Sequence, residues 1–413
     1  MSEKMFYLLG NPLGHSWSVP IHNRLADYSY QLRPTTPEEL DSFLRERDFG
    51  GLNVTIPHKK AVIPYCDELT DTAQKIGAVN TVYFADGRMI GHNTDYAGFS
   101  YLARRAGISF AGHRVYILGS GGTSLTARAV AEDEGAAAVT VVSRSGDFGY
   151  DDLYAAHGEF ILINTTPVGM YPHTDACPVD LDRLPDCRGV LDVVYNPRRT
   201  RLVQAALERG IPAAGGLAML VAQAAYASEK FAGRQVSEDA IETTLAAITQ
   251  ECANIVLIGM PGCGKSTVGR CLAELTGREL IDTDARIEER AGKPIPQIFA
   301  KDGEDAFRAL ETEVIAELGR ERGLIIACGG GAVLKPENRT ALRQNGRIYC
   351  LHRPLEWLET TGRPLSGNLE KMRALESARA PIYREMTDLS VENITTPADA
   401  AAAIWKDFLQ DVN

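Results

Sequence analysis

The sequence has few of the features that mark secreted or membrane proteins. Its eight cysteines are spread over 413 residues without a C-x-x-C pair, which is too sparse for a disulfide scaffold and indicates reduced thiols. The first residues, MSEKMFYLLGNPLG, lack the sustained apolar core and cleavage site of a signal peptide, so we expect a cytoplasmic protein. The longest apolar stretch, residues 211–227, is rich in alanine and glycine and is interrupted by Gln223. It predicts a packed helix rather than a membrane span.

Basic charge is also scarce, because 43 Lys and Arg residues face 54 Asp and Glu residues, a net charge of −11. This balance disfavours a general nucleic-acid or anionic-membrane surface and still permits locally basic pockets. Hydrophobic residues make up 45% of the chain and charged residues 23%, which is typical of globular proteins. The length predicts two or three domains.

Two segments share the pattern of an apolar strand, a glycine-rich turn and a helix. Residues 115–118 precede GSGGTS (119–124), and residues 255–258 precede GMPGCGKST (259–267). In each, backbone N–H groups and a helix N-terminus can face a phosphate. Beyond each turn, β-rich and helical runs alternate, which predicts α/β folds. We therefore predict a substrate-binding α/β lobe over residues 1–100, a Rossmann-like nucleotide lobe over 101–250 whose last helices return to the substrate lobe, and a P-loop domain with a parallel sheet over 251–413.

The second glycine turn matches the P-loop pattern G-x-x-x-x-G-K-[ST] between a strand and a helix. In such a loop, Lys265 supplies charge to the β- and γ-phosphates and the Ser266 hydroxyl binds Mg²⁺. Asp282 and Asp284 follow at the carboxyl end of the next predicted strand, where α/β sheets place their ligands. One carboxylate is predicted to face hydrated Mg²⁺ and the other an acceptor hydroxyl.

Further motifs follow in order: FRALE at 307–311, a glycine triplet at 329–331, RPL at 363–365 and RAPIY at 379–383. Taken singly, each arginine favours the interpretation of a surface charge. As an ordered set, residues 252–413 resemble shikimate kinase, although the segment between Arg363 and Arg379 is shorter than the family pattern. The resemblance implies that Asp284 receives the proton of the acceptor hydroxyl. It implies a shikimate site of Asp284, Arg308, Gly330, Gly331 and Arg379, an ATP site of Gly262, Cys263, Gly264, Lys265, Ser266, Thr267 and the lid residue Arg363, and Mg²⁺ at Ser266 and Asp282.

The first glycine turn departs from G-x-G-x-x-G at its third glycine, where Ser124 stands. An NAD site usually has an acidic residue at the end of the following strand, to bind the ribose 2′-hydroxyl. Here that strand ends in Ser143-Arg144-Ser145, and an arginine flanked by hydroxyls suits a 2′-phosphate. The sequence favours NADP over NAD, with a solvated strand-end charge as the alternative for Arg144.

Residues 53–59 (NVTIPHK) place Lys59 after an extended run, and residues 91–95 (GHNTD) place Asp95 at the start of a helix. A lysine–aspartate pair can pass a proton to a nascent alkoxide, although each residue alone could be a surface charge. His15, His58 and His92 fit neither H-x-x-x-H nor H-E-x-x-H, which favours pocket or surface histidines over metal ligands.

A second ordered set of motifs covers nearly all of residues 5–235 and resembles shikimate dehydrogenase. It comprises GNPLGHSWS (10–18), NVTIPHK, GAVNT (77–81), NTD (93–95), INTTPVGM (163–170), DVVYNP (192–197) and GLAMLVAQ (216–223). The resemblance implies that Lys59 is the catalytic acid/base and Asp95 its partner. It implies a shikimate pocket of Ser16, Ser18, Thr55, Lys59, Asn80, Asp95, Tyr195 and Gln223, and an NADP site of Asp71, Gly119, Ser120, Gly121, Gly122, Thr123, Ser143, Arg144, Val194 and Gly216.

Three positions depart from the dehydrogenase pattern: Trp17 stands where lysine is frequent, His58 where an apolar residue is common, and His92 where aspartate is usual. Together the two resemblances predict a bifunctional enzyme that reduces 3-dehydroshikimate to shikimate with NADPH and then phosphorylates it with ATP and Mg²⁺ to shikimate 3-phosphate. The product of the first half is the substrate of the second, so each assignment supports the other. The alternatives are a kinase fused to a dehydrogenase that prefers quinate or NAD, or to an inactive binding module.

Overall fold

The computed structural model describes residues 4–14, 16–358 and 369–410, with the side chain of Leu369 left out. These residues form three β-sheets flanked by helices, as the α/β prediction requires. The chain divides into two compact units: the first comprises Met1–Met170, Ala176–Asn196 and Ala205–Ile248, and the second comprises Tyr171–Asp175, Pro197–Gln204 and Thr249–Asn413. Within the described part of the chain, we find no helix both long and apolar enough to cross a bilayer.

The first sheet is mixed and has the strand order β2-β1-β3-β5-β6-β4. Strands β1, β2 and β3 are parallel, whereas β5 runs antiparallel to both β3 and β6. Its strands are β1 (Phe6–Gly10), β2 (Tyr30–Pro34), β3 (Gly51–Val54), β4 (Glu68–Leu69), β5 (Thr81–Ala85) and β6 (Arg88–His92).

The second sheet is entirely parallel, with the order β11-β10-β9-β7-β8. Its central strand β9 is buried at every residue, which explains its apolar run FILI before Asn164, because both faces of such a strand are covered by helices. The strands are β7 (Arg114–Leu118), β8 (Ala138–Val142), β9 (Phe160–Asn164), β10 (Cys187–Asp192) and β11 (Ala213–Ala214).

Among the described residues, nine α-helices precede the third sheet. Helix α2 illustrates how the local sequence sets their bounds: Thr36 and Glu39 form a capping box and Pro37 is the first helical residue, which together define a helix start. The helices are α1 (Ser18–Leu25), α2 (Pro37–Glu46), α3 (Asp71–Ile76), α4 (Asp95–Arg105), α5 (Gly122–Asp133), α6 (Tyr150–Tyr154), α7 (Arg201–Glu208), α8 (Leu217–Ala232) and α9 (Glu238–Cys252).

Helix α8 begins within the apolar stretch that was predicted to be helical, and it packs closely on α4. A Cβ added at Gly98 of α4 would lie 2.8 Å from both Cβ of Gln223 and the carbonyl oxygen of Met219. Real Cβ atoms do not approach other atoms so closely. Glycine at this position therefore lets the backbone of α4 lie directly against α8. Gln223 thereby contacts α4 at Gly98, which is one helical turn after Asp95.

The third sheet is also parallel, with the order β13-β14-β12-β15-β16. Its core is an apolar cluster that includes the fully buried Tyr349 and Phe408. The strands are β12 (Asn254–Gly259), β13 (Leu280–Asp282), β14 (Ile325–Ala327), β15 (Gly346–His352) and β16 (Leu389–Glu392), and the helices are α10 (Lys265–Thr276), α11 (Thr283–Ala291), α12 (Ile295–Lys301), α13 (Gly303–Arg320), α14 (Pro336–Asn345), α15 (Leu369–Met386) and α16 (Pro397–Phe408).

Two short segments from earlier in the sequence belong to the second unit. The backbone N–H of Arg198 donates to Oδ1 of Asn345 at 3.0 Å, and Nε2 of Gln344 donates to the carbonyl of Thr174 at 2.9 Å. Both side chains at the end of α14 are almost fully buried. The second unit therefore contains more of the chain than residues 251–413, the range predicted for the P-loop domain.

Candidate active sites

The predicted acid/base pair of the first unit is formed. Nζ of Lys59 lies 2.6 Å from Oδ2 of Asp95, and the two side chains are 25% and 13% exposed. Lys59 lies in the turn after β3, and Asp95 is the first residue of α4. Its carboxylate therefore lies at the positive end of a helix dipole as well as beside an ammonium. The structure brings together two residues that are 36 positions apart in sequence.

Asn80 is joined to this pair through backbone hydrogen bonds. The N–H of Val79 donates to the carbonyl of Lys59 at 2.8 Å, and the N–H of Asn80 donates to the carbonyl of His92 at 3.1 Å. The segment that carries Asn80 thus lies between the segments that carry Lys59 and Asp95. Since Asn80 is buried, its side-chain orientation is fixed by its neighbours.

Two threonines that were not predicted as site residues orient the Asn80 amide. Oδ1 accepts from the backbone N–H of Thr94 at 2.7 Å and from the hydroxyl of Thr81 at 3.0 Å, while Nδ2 donates to Oγ1 of Thr94 at 3.1 Å. Both lone pairs of Oδ1 are then in use, and one N–H of Nδ2 remains. Asn80 can therefore present a donor, but no acceptor, to a substrate oxygen. Thr81 and Thr94 lie in the GAVNT and NTD motifs, and this position was the sequence signal from which their role could have been predicted.

The other predicted pocket residues lie on four further segments of the first unit. The hydroxyl of Ser16 lies 3.1 Å from that of Ser18 and accepts from the Ser18 backbone N–H at 3.2 Å. The N–H of Thr55 donates to the carbonyl of Leu9 at 2.8 Å, and Tyr195 follows β10 with a half-buried side chain. Nε2 of Gln223 donates to the carbonyl of Leu220 at 2.9 Å. The set consists of hydroxyls, amides and one ion pair.

His58 and His92, two departures from the family pattern, are structural in this fold. Nε2 of His58 lies 2.7 Å from the carbonyl oxygen of Thr35, which ties the Lys59 turn to the end of β2. Nδ1 of His92 lies 2.8 Å from Oγ1 of Thr70, and burial lowers the pKa of His92 to about 4. No group of three metal-ligating side chains occurs among the residues that the structure describes. His15 lies outside the described residues.

The predicted NADP residues collect at the carboxyl ends of β7, β8 and β10. Gly121 caps α5, and Cβ atoms added at Gly121 and Gly122 would meet nothing within 4 Å, so open space faces the helix N-terminus where a pyrophosphate binds. The exposed Arg144 follows β8 after the half-buried Ser143. Gly216 donates its N–H to the carbonyl of Val194 at 2.9 Å. Gly119, Ser120 and Thr123 lie in the same turn, whereas Asp71 is the exposed first residue of α3.

The P-loop of the second unit surrounds its own lysine. Nζ of Lys265 donates to the carbonyls of Gly259 and Met260, each at 3.0 Å, so the ammonium lies inside the loop of Gly262, Cys263, Gly264, Ser266 and Thr267. The side-chain Nδ2 of Asn393, which follows β16, donates to the carbonyl of Cys263 at 2.8 Å. Asn393 was not predicted, because it lies in no motif and 130 residues from Cys263. Arg363, the predicted lid residue, lies outside the described residues.

The two aspartates at the end of β13 have different surroundings. Oδ2 of Asp282 accepts from the Ser266 hydroxyl at 2.5 Å, and its Oδ1 accepts from the backbone N–H of Asp284 at 3.0 Å. Asp284, in the first turn of α11, lies against the glycine triplet, because a Cβ added at Gly329 would overlap its Oδ1. Thr283 holds the triplet in place, since its hydroxyl accepts from the Gly329 N–H at 2.8 Å. Asp282 is thus paired with the P-loop serine, and Asp284 faces the triplet.

Two predicted arginines contact the same triplet. A Cβ at Gly331 would overlap Nη1 of Arg308, so a side chain at this position would displace that guanidinium. Nη1 of Arg379 donates to the carbonyl of Gly330 at 2.9 Å, and Arg379 is 5% exposed. Arg308 is held by Glu311 at 2.7 Å; burial outweighs this pairing and raises the pKa of Glu311 above its usual value. Glu311 is the acidic residue of the FRALE motif, to which no role was assigned.

In the first site, the ion pair of Lys59 and Asp95 and the nearby Asn80 donor suit proton transfer to a hydroxylated substrate. A P-loop with arginines and an aspartate around a glycine triplet defines the second as a phosphoryl-transfer site. The chain therefore combines an α/β oxidoreductase with a P-loop small-molecule kinase.

Comparisons with known proteins agree with both classes. A shikimate kinase family model matches residues 261–411, and a model of the shikimate dehydrogenase substrate binding domain matches residues 8–82. The shikimate dehydrogenase (NADP(+)) of Clostridium perfringens strain SM101 is 35% identical over 260 residues, covering 58% of this chain and 96% of the relative. That of Shouchella clausii is 37% identical over 268 residues with the same coverage. The chain belongs to the shikimate dehydrogenase family and is a fusion of that enzyme with a shikimate kinase domain, a bifunctional enzyme of the shikimate pathway.

Solved structures show the same relationship for the first unit. A chorismate mutase/shikimate 5-dehydrogenase fusion protein from Clostridium acetobutylicum has a TM-score of 0.57 and 32% identity, covering 60% of this chain and 98% of its own. Shikimate 5-dehydrogenase from Thermus thermophilus, in complex with NADP(H) and shikimate, has a TM-score of 0.53 and 30% identity, covering 58% of this chain and 98% of its own. The predicted fold class, the fusion and the two enzyme classes are confirmed.

Proposed function

We propose that the first unit reduces 3-dehydroshikimate to shikimate with NADPH, and that the second transfers the γ-phosphoryl group of ATP to shikimate with Mg²⁺. The ion pair of Lys59 and Asp95 carries the first assignment. The placement of Asp284, Arg308 and Arg379 around one glycine triplet carries the second. We further propose that residues 1–100, 101–250 and 251–413 supply the substrate lobe, the NADP lobe and most of the kinase.

In the reduction, bound NADPH supplies a hydride to the carbonyl carbon. Lys59 donates a proton to the carbonyl oxygen as it becomes an alkoxide, and Asp95 holds the ammonium at the reacting oxygen. The remaining N–H of Asn80 donates to a hydroxyl oxygen attached to the substrate ring, and the hydroxyls of Ser16 and Ser18 bind the carboxylate. Arg144 suits the 2′-phosphate of the cofactor, because a guanidinium pairs bidentately with phosphate.

In the phosphoryl transfer, Asp284 accepts the proton of the attacking hydroxyl, and Arg308 and Arg379 hold the shikimate carboxylate through charge-assisted hydrogen bonds. Lys265 stabilises charge on the transferring phosphoryl group. The adjacent oxygens of Ser266 and Asp282 are hard donors of the type that Mg²⁺ prefers. Few protein ligands are expected for Mg²⁺, because water and nucleotide phosphates complete its coordination.

One structural relative gives a reason to test the substrate of the first unit directly. A 5-ketofructose reductase from Gluconobacter sp. strain CHM43 has a TM-score of 0.51 and 28% identity over 60% of this chain. The same architecture therefore serves another substrate, and quinate remains the second candidate. The formed Lys59–Asp95 pair opposes the alternative of an inactive binding module.

The decisive experiment supplies 3-dehydroshikimate, NADPH, ATP and Mg²⁺ and identifies the product by mass spectrometry. The parent chain should form shikimate 3-phosphate. The Lys59→Ala chain should phosphorylate added shikimate but consume 3-dehydroshikimate about 10²–10⁴-fold more slowly. The Lys265→Met chain should stop at shikimate. A mixture of the two variants should restore the full conversion. Oxidation of quinate in preference to shikimate by the parent would overturn the first assignment while leaving the second.

A further inference from the structure

The hydroxyl of Tyr383 lies between two backbone carbonyls that belong to different ligand sites. It is 3.1 Å from the carbonyl oxygen of Gly259, at the start of the P-loop, and 2.6 Å from that of Gly330, in the glycine triplet. Tyr383 is 5% exposed, and burial raises its pKa above the ordinary value, so the hydroxyl keeps its proton. With one proton it can donate to one of the two carbonyls at a time.

Each of these carbonyls has a second, charged donor. Lys265 donates to the Gly259 carbonyl at 3.0 Å, and Arg379 donates to the Gly330 carbonyl at 2.9 Å. The hydrogen bonds form an unbroken chain from the phosphate-binding lysine to the carboxylate-binding arginine. The hydroxyl of Tyr383 is the middle link of this chain.

We propose that Tyr383 is a positioning residue through which nucleotide and shikimate strengthen each other's binding. This inference rests on the kinase function proposed above. When the nucleotide phosphates attract Lys265, the carbonyl of Gly259 loses its charged donor, and the hydroxyl of Tyr383 turns to donate to it.

The shift of the Tyr383 proton leaves the carbonyl of Gly330 with Arg379 as its donor. This fixes the guanidinium at the triplet and directs its other N–H groups to the shikimate carboxylate. Because coupling between two binding equilibria is reciprocal, shikimate must favour nucleotide binding by the same factor.

The variant Tyr383→Phe separates this role from a structural one. It keeps the ring and removes the hydroxyl, and both carbonyls retain a charged donor, so the fold should persist. The matched control is Tyr349→Phe. Tyr349 is also fully buried in the second unit, and its hydroxyl donates to Oδ2 of Asp407 at 2.8 Å.

The test measures initial rates of phosphorylation over a grid of ATP and shikimate concentrations, using the full chain without NADP⁺ so that the dehydrogenase is idle. The grid gives the dissociation constant of each substrate from the free enzyme and from the complex with the other. In the parent and in Tyr349→Phe, each substrate should lower the dissociation constant of the other about five-fold or more, which is within the usual range of such coupling. In Tyr383→Phe this factor should fall to about one, with kcat at saturation changed about three-fold at most.

The inference is contradicted if Tyr383→Phe keeps the coupling. It is also contradicted if a thermal melting experiment shows that this variant no longer folds. A parent that phosphorylates shikimate without any coupling, or with mutual weakening, also contradicts it and leaves the proposed function intact. A parent that phosphorylates no shikimate contradicts the proposed function itself.

Discussion

Lys59 and Asp95 form an ion pair of 2.6 Å at the point where the turn after β3 meets the N-terminus of α4. Removing an ammonium and a carboxylate from water costs free energy. Because both side chains of this pair are mostly buried, other favourable interactions must offset that desolvation cost. The helix N-terminus supplies part of it to Asp95. The fold itself therefore orients the proton donor.

Replacing Lys59 with alanine should lower dehydrogenase turnover by about 10²–10⁴-fold, the usual contribution of a general acid. The kinase turnover of the same chain should not change and serves as the internal control. Steady-state assays of both reactions on one preparation provide the measurement. Near-normal reduction by Lys59→Ala would remove this residue from the mechanism.

Replacing Arg144 with alanine should raise the KM for NADP roughly 10–100-fold, because hydrogen bonds to charged groups contribute about 1.5–3 kcal/mol. The KM for NAD should change little, since NAD has no 2′-phosphate. Arg128→Ala is the matched control, as Arg128 is an exposed arginine of α5 that faces Glu132. Equal losses for the two cofactors in Arg144→Ala would contradict the assignment.

Replacing Thr94 with valine should raise the KM for shikimate in the dehydrogenase reaction about ten-fold. The valine leaves Nδ2 of the buried Asn80 without the Thr94 hydroxyl as its acceptor, and an unsatisfied buried polar group costs about 1–3 kcal/mol. Thr94→Ser keeps the hydroxyl and should restore the parent value to within about two-fold. If serine and valine behaved alike, the hydroxyl would not be orienting Asn80.

The first unit should lose stability as the pH falls below about 6.5, the ordinary pKa of histidine. His22 is buried, stacks on Tyr30 at 3.9 Å between ring centroids, and burial lowers its pKa to about 3. Between the two pKa values the unfolded chain binds a proton that the folded chain does not. The free energy of unfolding should therefore fall by up to about 1.4 kcal/mol per pH unit for this residue.

His22→Phe keeps the stacked ring and removes the titration of this residue, so it should reduce this pH dependence; the buried His92, whose pKa is lowered to about 4, keeps its own share. Urea unfolding between about pH 4.5 and 6.5, followed through loss of dehydrogenase activity, measures the slope. The exposed His157, replaced by glutamine, is the control. An unchanged slope in His22→Phe would show that another group causes the acid sensitivity.

A chain of residues 249–413 alone should lose kinase activity at a lower temperature than the full chain. It lacks Thr174 and Arg198, whose backbone groups satisfy the buried side chains of Gln344 and Asn345. Each unsatisfied group costs about 1–3 kcal/mol. The full-length Lys59→Ala chain is the control, because it lacks dehydrogenase activity but retains both segments. Equal inactivation temperatures for the short and full chains would show that the two segments do not stabilise the kinase.

The fold was predictable where local sequence alone determines structure. The strand, turn and helix around the P-loop are signalled by an apolar run and by glycines within about fifteen residues. The apolar runs at 115–118 and 255–258 lie within β7 and β12 in the structure. The antiparallel pairing of β5 with β3 and β6 was not predicted, because register between strands depends on contacts distant in sequence. The same holds for Thr81, Thr283 and Asn393, whose roles arise from partners on other elements.

By itself the sequence determined which chemical groups are available. These are the P-loop lysine, a lysine and an aspartate for proton transfer, an arginine after the strand at whose end an NAD site has an acidic residue, and the arginines of the motifs around the glycine triplet. These follow from residue type and spacing, which do not depend on folding. The tertiary structure decided which groups meet. It set Lys59 against Asp95, used both lone pairs of the Asn80 carbonyl, joined Lys265 to Arg379 through one tyrosine hydroxyl, and added residues 171–175 and 197–204 to the second unit. A buried polar group must find its partner wherever the packed chain provides one, and that partner is seldom a neighbour in sequence.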